Sequence, residues 1–270
     1  MRTQMQKAEA FRALHARPGA FIIPNPWEAG TAKLLAAMGF EALATTSLGL
    51  ANMQGRSTVS LDAIIDNCRV IAEATDLPVN ADLENGGADD PKTAAEAIAR
   101  AAEAGVVGGS IEDSTGDRDK PIYEFSLAVE RVQAAVEAAR ALPFPFTLTA
   151  RAENLLWGRN DLDNTIKRLQ AYEAVGADVL YSPGVYDIVT IRTVVSSLTK
   201  PFNLVMGFAD PTLTVDQIAA TGVKRISVGG AMARHALAAF LRSAHEMKDQ
   251  GAFTFVRDMA PVKEVRAAFK

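Results

Sequence analysis

Short apolar runs rich in Val, Ile, Leu, Phe and Thr recur along the chain, separated by longer Ala-rich stretches with helical spacing. Eight runs stand out: FIIPN (21–25), ALATTS (42–47), PVNADLEN (78–85), GGSIEDS (108–114), FTLTARAEN (146–154), DVLYSPG (178–184), FNLVMG (202–207) and RISVGG (225–230). Candidate helices lie between and after them, near 28–38, 60–75, 92–104, 125–141, 161–175, 186–198, 214–220 and 231–248, the seventh being the weakest. Several end alike, in AAMGF, AEAGVV, EAVGAD and AATGVK. Each places glycine where a helix C-terminus wants a left-handed residue, and the next strand follows. Eight strand–helix units predict an α/β fold, a (β/α)8 TIM barrel. A doubly wound sheet is the rival, but the first turn, NPWEAG, has neither G-x-G-x-x-G nor a P-loop. The expected organisation is one barrel domain over 1–250, opening with a helix within 1–20. A helical tail over 251–270 is expected to pack on a neighbour.

One run departs from the apolar rule. In VNADLENGG (79–87), Val79, Ala81 and Leu83 alternate with Asn80, Asp82 and Glu84. Side chains two apart on a strand face the same side. Asp82 and Glu84 are therefore assigned to the barrel mouth, where such folds do their chemistry. Other polar residues collect at strand ends: Thr45, Thr46 and Ser47; Glu112 and Asp113; Arg151, Glu153 and Asn154; Ser182. Asp82, Glu84 and Glu112 that close together would repel one another and raise one another's pKa. A hard divalent cation removes the conflict. Mg2+ suits oxygen ligands and keeps several waters, with Mn2+ as the alternative. One carboxylate is expected to bind directly and the others through water. Arg151 offers bidentate recognition of a carboxylate or phosphate. The TSLG turn (46–49) adds a hydroxyl and the backbone N–H groups of Leu48 and Gly49, suited to a carboxylate or an oxyanion.

Other polar positions carry plainer readings. Asp113 is expected to cap or pair locally, and Glu153 either pairs with Arg151 or belongs to the site. Cys68 falls at helical spacing from Ile64, Ile65 and Ile71 and reads as a buried small hydrophobe. His15 and His245 are expected to be solvated on peripheral helices, and His235 to be structural. The SVGG turn (227–230) reads as close helix packing or a phosphate site. The net charge of −4 gives no reason to expect a nucleic-acid or membrane partner. A single cysteine rules out an intrachain disulfide and suits the cytoplasm. The N-terminal stretch lacks the apolar core of a signal peptide, and no window is apolar enough to span a bilayer.

Taken in order, TTSLGLA, VNADLENG, GGSIEDSTGD and LTARAEN resemble the isocitrate lyase/phosphoenolpyruvate mutase superfamily, over about residues 10–248. The resemblance implies a Mg2+-dependent enzyme that breaks a C–C or P–C bond next to a small 2-oxo carboxylate through an enolate. It implies Asp82 as direct metal ligand, Glu84 and Glu112 as outer acids, and Arg151 as the arginine for the substrate carboxylate. It gives Ser47, Leu48 and Gly49 the oxo-acid end. It also implies a homo-oligomer, a dimer or tetramer, with a C-terminal helix swapped between barrels. There are two departures. The lyases' K-K-C-G-H loop is replaced by STGDRDKPIYEF, so isocitrate-type cleavage with a cysteine acid/base is not expected. The loop MQGRSTVSLD lacks the aspartate of the relatives' G-R-x-D-G. Carbon–carbon lysis or decarboxylation is the first expectation, with Ser47, Arg151 and Glu112 as catalytic residues. Phosphonopyruvate or mutase chemistry, in which Lys120 would reach over the ligand, and a catalytically lapsed oxo-acid binder are the alternatives.

Overall fold

The computed structural model describes residues 2–269. Eight parallel strands are present: β1 (Phe21–Ile23), β2 (Leu43–Ala44), β3 (Val79–Asp82), β4 (Gly108–Glu112), β5 (Thr147–Arg151), β6 (Val179–Tyr181), β7 (Phe202–Val205) and β8 (Arg225–Ser227). They pair in the order β1-β8-β7-β6-β5-β4-β3-β2. The two ends of the sheet meet where Ala44 N–H donates to the Pro24 carbonyl (3.0 Å). Pro24 has no N–H to return, so this seam stays short. The result is the expected (β/α)8 barrel, nearly closed. The strands are shorter than the polar-ended runs: they end at Asp82, Arg151 and Tyr181, and Glu84, Glu153 and Ser182 belong to the loops of the mouth, although the Glu112 N–H still donates to the Glu84 carbonyl (3.0 Å).

The helices are α1 (Gln4–Ala16), α2 (Ala29–Ala37), α3 (Ser47–Met53), α4 (Leu61–Glu73), α5 (Pro91–Glu103), α6 (Phe125–Arg140), α7 (Leu162–Ala174), α8 (Ile188–Ser196), α9 (Val215–Ala219), α10 (Ala231–His245) and α11 (Val262–Ala268). The four expected terminators hold: Gly39, Gly105, Gly176 and Gly222 have φ of 88°, 94°, 105° and 92°. The main core lies between the sheet and the helices. Leu148, Leu180 and Leu204 on the strands meet faces such as Ala94, Ala97 and Ile98 of α5 and Val132 and Ala135 of α6. Each large aliphatic side chain so buried stabilises the fold by about 1.5–3 kcal/mol.

Helix α1 closes the N-terminal end of the barrel. Phe11 is fully buried there with Phe21 and Ile23. A Cβ on Gly108 would lie 2.8 Å from the Phe11 ring, so only glycine fits beneath it. This placement corrects the expectation for His15. Its ring packs edge-on against Phe11 and Phe21 (centroids 4.7 and 5.0 Å apart), with Nδ1 2.9 Å from the Phe11 carbonyl. Burial pushes its pKa down to about 3, with nearby Arg225 acting in the same direction. Cys68 is buried, as expected.

Helix α10 forms where the eighth helix was expected, but it stands off the barrel. Only Ala233 is buried, while Leu237, Phe240 and Leu241 are 40%, 67% and 54% exposed. The tail forms a 3-10 turn (Thr254–Asp258) and α11, and the Phe269 ring lies 3.8 Å from where a Cβ on Gly30 of α2 would be. His235 is exposed on α10. Among the described residues no helix is long and apolar enough to cross a membrane.

Candidate active site at the barrel mouth

Asp82 closes β3 and is held from two directions. Its own N–H donates to Thr45 Oγ1 (2.9 Å), and its Oδ2 accepts from both the N–H and the hydroxyl of Ser47 (3.0 Å each). Ser47 can do this because the expected TSLG turn is the first turn of α3, N-capped by Thr46. The cap accepts the Gly49 N–H (3.2 Å). Two of the groups assigned to an oxo-acid carbonyl are therefore committed elsewhere, Ser47 to Asp82 and Gly49 to Thr46. The Leu48 N–H, second in the helix, has no preceding helical carbonyl to bond. Gly49 cannot carry a side chain, since a Cβ would come 2.6 Å from Thr46 Cγ2. The other oxygen of Asp82, Oδ1, is buried without a hydrogen-bond partner.

Register places Glu112 beside Arg151 and Arg151 beside Tyr181. Arg151 Nη1 lies 3.1 Å from Glu112 Oε2 and 3.6 Å from Asp82 Oδ1. Its Nε donates to Glu153, and the guanidinium sits 4.9 Å over the Tyr181 ring. Glu84 reaches the same cleft by an unexpected route. The strand alternation ends at Asp82, and Glu84 adopts φ +51°, the left-handed region that non-glycine residues seldom occupy. Ser47, Glu84, Glu112, Ser114, Arg151, Glu153, Leu156 and Trp157 line a cleft of about 380 Å³.

Three carboxylates thus share one guanidinium, and a fourth, Glu84, lines the same cleft. Burial raises the Glu112 pKa well above the ordinary carboxylate range. Arg151 opposes this, while Glu153, Asp82 and Glu84 push it further up. Glu84 is raised too, by burial and then by the Asp82 charge. Such a cluster retains excess negative charge and is incompletely satisfied. Among the described residues no three His, Cys, Asp or Glu side chains are grouped closely enough to hold a metal directly. A three-carboxylate cage is therefore not formed, because Arg151 stands between the acids. One directly bound carboxylate with water-mediated partners remains compatible. The donor set is all oxygen, the charge excess is anionic, and Asp82 Oδ1 lacks a hydrogen-bond donor. These features fit a hard divalent cation.

Several neighbouring polar groups are occupied, although Asn154 Oδ1 is buried without a partner. Asp113 faces away from the mouth and accepts from Arg168 (3.0 Å), Tyr172 (2.6 Å) and the Glu153 N–H (2.8 Å). It is paired and structural, but with partners 40 to 59 residues away in sequence and not the local cap or pair expected. The SVGG amides are also occupied: Val228 and Gly229 N–H donate to Asn25 Oδ1 (3.0 and 2.9 Å), against a phosphate site there. Lys120 belongs to an exposed loop pinned by Thr115 Oγ1 on its carbonyl (2.6 Å). Sequence reasoning missed Tyr181, although it lies on the inward face of β6 and alternation could have found it. It also missed Trp157, whose loop carries no periodic signal.

Fold and site together define a class: a (β/α)8 barrel with an acidic mouth organised around one arginine. The family model described as phosphoenolpyruvate phosphomutase matches residues 11–248. The chain belongs to this family, within the isocitrate lyase/phosphoenolpyruvate mutase superfamily. A Burkholderia cenocepacia J2315 protein, provisionally described as a lyase/mutase, superposes with a TM-score of 0.96 at 58% identity, covering 98% of this chain and 96% of that one. The 2-methylisocitrate lyase of Escherichia coli (strain K12) is 29% identical over 247 residues, 86% of this chain and 79% of the relative. The oxaloacetate decarboxylase of Ectopseudomonas mendocina (strain ymp) is 28% identical over 231 residues, 82% of this chain and 77% of the relative.

Proposed function

We propose that the chain is a Mg2+-dependent lyase of the decarboxylase type, breaking a C–C bond next to a small 2-oxo carboxylate through an enolate. The observation that carries this reading is the anionic cluster at the mouth, where Asp82, Glu112 and Glu153 share Arg151 and Glu84 lines the same cleft. Asp82 would hold the metal directly, with Glu84 and Glu112 acting through water. When bound, the metal supplies Lewis-acid stabilisation of negative charge on the oxo-acid oxygen. Ser47 fixes Asp82 by two hydrogen bonds to one oxygen, leaving Oδ1 free of them. Arg151 is steadied by Glu153 and by the Tyr181 ring and would take the substrate carboxylate. The Leu48 N–H is available to the oxo end. Trp157 and Leu156 give the cleft one apolar wall.

Decarboxylation is favoured over retro-aldol cleavage by chemistry. Retro-aldol cleavage must deprotonate a hydroxyl, and the loop after β4 lacks the lyases' cysteine. Loss of CO2 leaves its electron pair in the enolate and needs no such base. A proton must then return to carbon, and Glu112, which lines the cleft, would relay it from water. The family match supports a second reading at the same site, P–C bond chemistry on a phosphonate. A panel of 2-oxo dicarboxylates and phosphonopyruvate, assayed with Mg2+ for CO2 and for phosphate, separates the two. CO2 release that is lost in Asp82→Ala is the expected result. Binding without turnover across the panel would leave a lapsed oxo-acid binder instead.

The exposed apolar side chains of α10 favour a homo-oligomer in which this helix packs on a second copy. A single-protomer mass in solution would count against it. A cytoplasmic location is part of the same reading, resting on the lone buried Cys68.

A further inference from the structure

The barrel interior is unusually polar. Such barrels are commonly filled by branched apolar side chains. Here Asn80, Ser110, Tyr181, Asn203, Arg225 and Ser227 line a narrow well of about 50 Å³ whose upper wall is Asp82 and Arg151. A continuous row of paired residues runs from Glu112 through Arg151, Tyr181 and Asn203 to Arg225. Because barrel strands tilt, this row descends from the C-terminal end of β4 to the first residue of β8.

Arg225 is 3% exposed. Its Nε donates to Asn203 Oδ1 (2.7 Å) and its Nη2 to Thr149 Oγ1 (2.9 Å). Nη1 is buried with no partner among the described residues. Both acceptors are neutral. Arg168 meets a counter-charge in Asp113, whereas Arg131, like Arg225, is held by neutral carbonyls with one unpartnered nitrogen but has the charges of Asp89 and Asp90 near it. A buried cation without a counter-charge is costly and seldom retained. Its cost shows in a pKa pushed down to about 9 by burial, with Tyr181 pulling the other way.

We propose that Arg225 is a positioning residue for the anionic substrate, an uncompensated cation beneath the mouth that draws a small 2-oxo carboxylate onto Arg151 without touching it. The inference rests on the reading of the mouth as a metal and oxo-acid site. In a low-dielectric barrel the field of Arg225 acts upward, and its sign distinguishes the ligands. It favours an anion at the mouth and opposes a divalent cation there. A unit charge acting over on the order of 10 Å, at an effective dielectric near 20, changes affinity roughly tenfold per unit of ligand charge.

The test uses two variants of the full chain. Arg225→Met removes the charge, and Asn203→Asp neutralises it in place with a side chain of nearly the same shape. Mn2+ affinity is measured alone by paramagnetic resonance, and oxalate affinity at saturating Mn2+ by calorimetry. The expected result is oxalate, a dianion, weakened on the order of a hundredfold in both variants, with Mn2+ alone bound more tightly than in the parent chain. Unchanged oxalate affinity in the Asp variant overturns the proposal. So does parallel weakening of both ligands, the mark of a merely structural arginine. A parent chain that binds neither Mn2+ nor oxalate would instead overturn the reading of the mouth, and this proposal with it.

Discussion

Glu112 and Asp113 are consecutive residues at the end of β4, and they leave it on opposite faces. Asp113 turns outward beneath α7 and receives Arg168, Tyr172 and a backbone N–H. Glu112 turns into the mouth, where one guanidinium serves it together with Asp82 and Glu153. Burial raises both pKa values. For Asp113 the neighbouring groups, Arg168 first, pull it back down, whereas three carboxylates push Glu112 further up. Two adjacent acids thus separate a structural ion pair from an incompletely compensated cluster at the mouth. What separates them is satisfaction of charge and hydrogen bonds, since both are well shielded from solvent.

The strongest way to break this contrast is to truncate one acid on each side. Asp82→Ala should reduce turnover on the order of a thousandfold, as loss of a metal ligand does. Thermal stability should be unchanged or slightly higher, because an incompletely satisfied charge is removed. Steady-state kinetics and a melting curve check both halves. Asp113→Ala should do the reverse to stability, costing about 3–5 kcal/mol in chemical denaturation by leaving Arg168 buried and unpaired. Any folded fraction should still bind Mn2+. Smaller still, Tyr172→Phe removes a single hydroxyl donor from Asp113 and should cost about 1.5–3 kcal/mol in the same experiment.

The gentlest probe is pH. A carboxyl whose folded pKa is raised holds its proton more tightly in the folded state than in the unfolded one. Glu112 therefore contributes stability at low pH that is lost as pH climbs from the ordinary carboxylate range through its raised folded value. Glu112→Gln should remove this loss, so the variant should gain on the parent chain as pH rises. The two should converge below the ordinary carboxylate range. Melting temperatures across the pH range test the sign. Equal slopes for parent and variant would show that Glu112 is as well compensated as Asp113.

Much of this was legible before any coordinates. Eight apolar runs and their glycine terminators specify the barrel, since strand and helix periods and the left-handed cap are local signals. Asp82, Glu112 and Arg151 were legible as strand-end residues facing one mouth. Glu84 was found for the wrong reason, because a left-handed turn, not strand alternation, brings it to the cleft. Helix α3 was read as a turn, being only seven residues long and starting inside the polar end of a strand run. The burial of α1 was hidden by its sequence: Lys7 is buried and satisfied only by the distant carbonyls of Ala72 and Thr75. The Arg225 well was hidden for a related reason. Asn203 and Arg225 come together by register across β7 and β8, and no local pattern encodes that.

The central claim is that the acids of the mouth await a divalent ion. Crystals soaked with Mg2+ and oxalate, an enolate mimic, test it most directly. The account predicts an ion on Asp82 with oxalate held against Arg151. A mouth that stays free of metal at saturating Mg2+, with Asp82 still turned to Arg151, would contradict it.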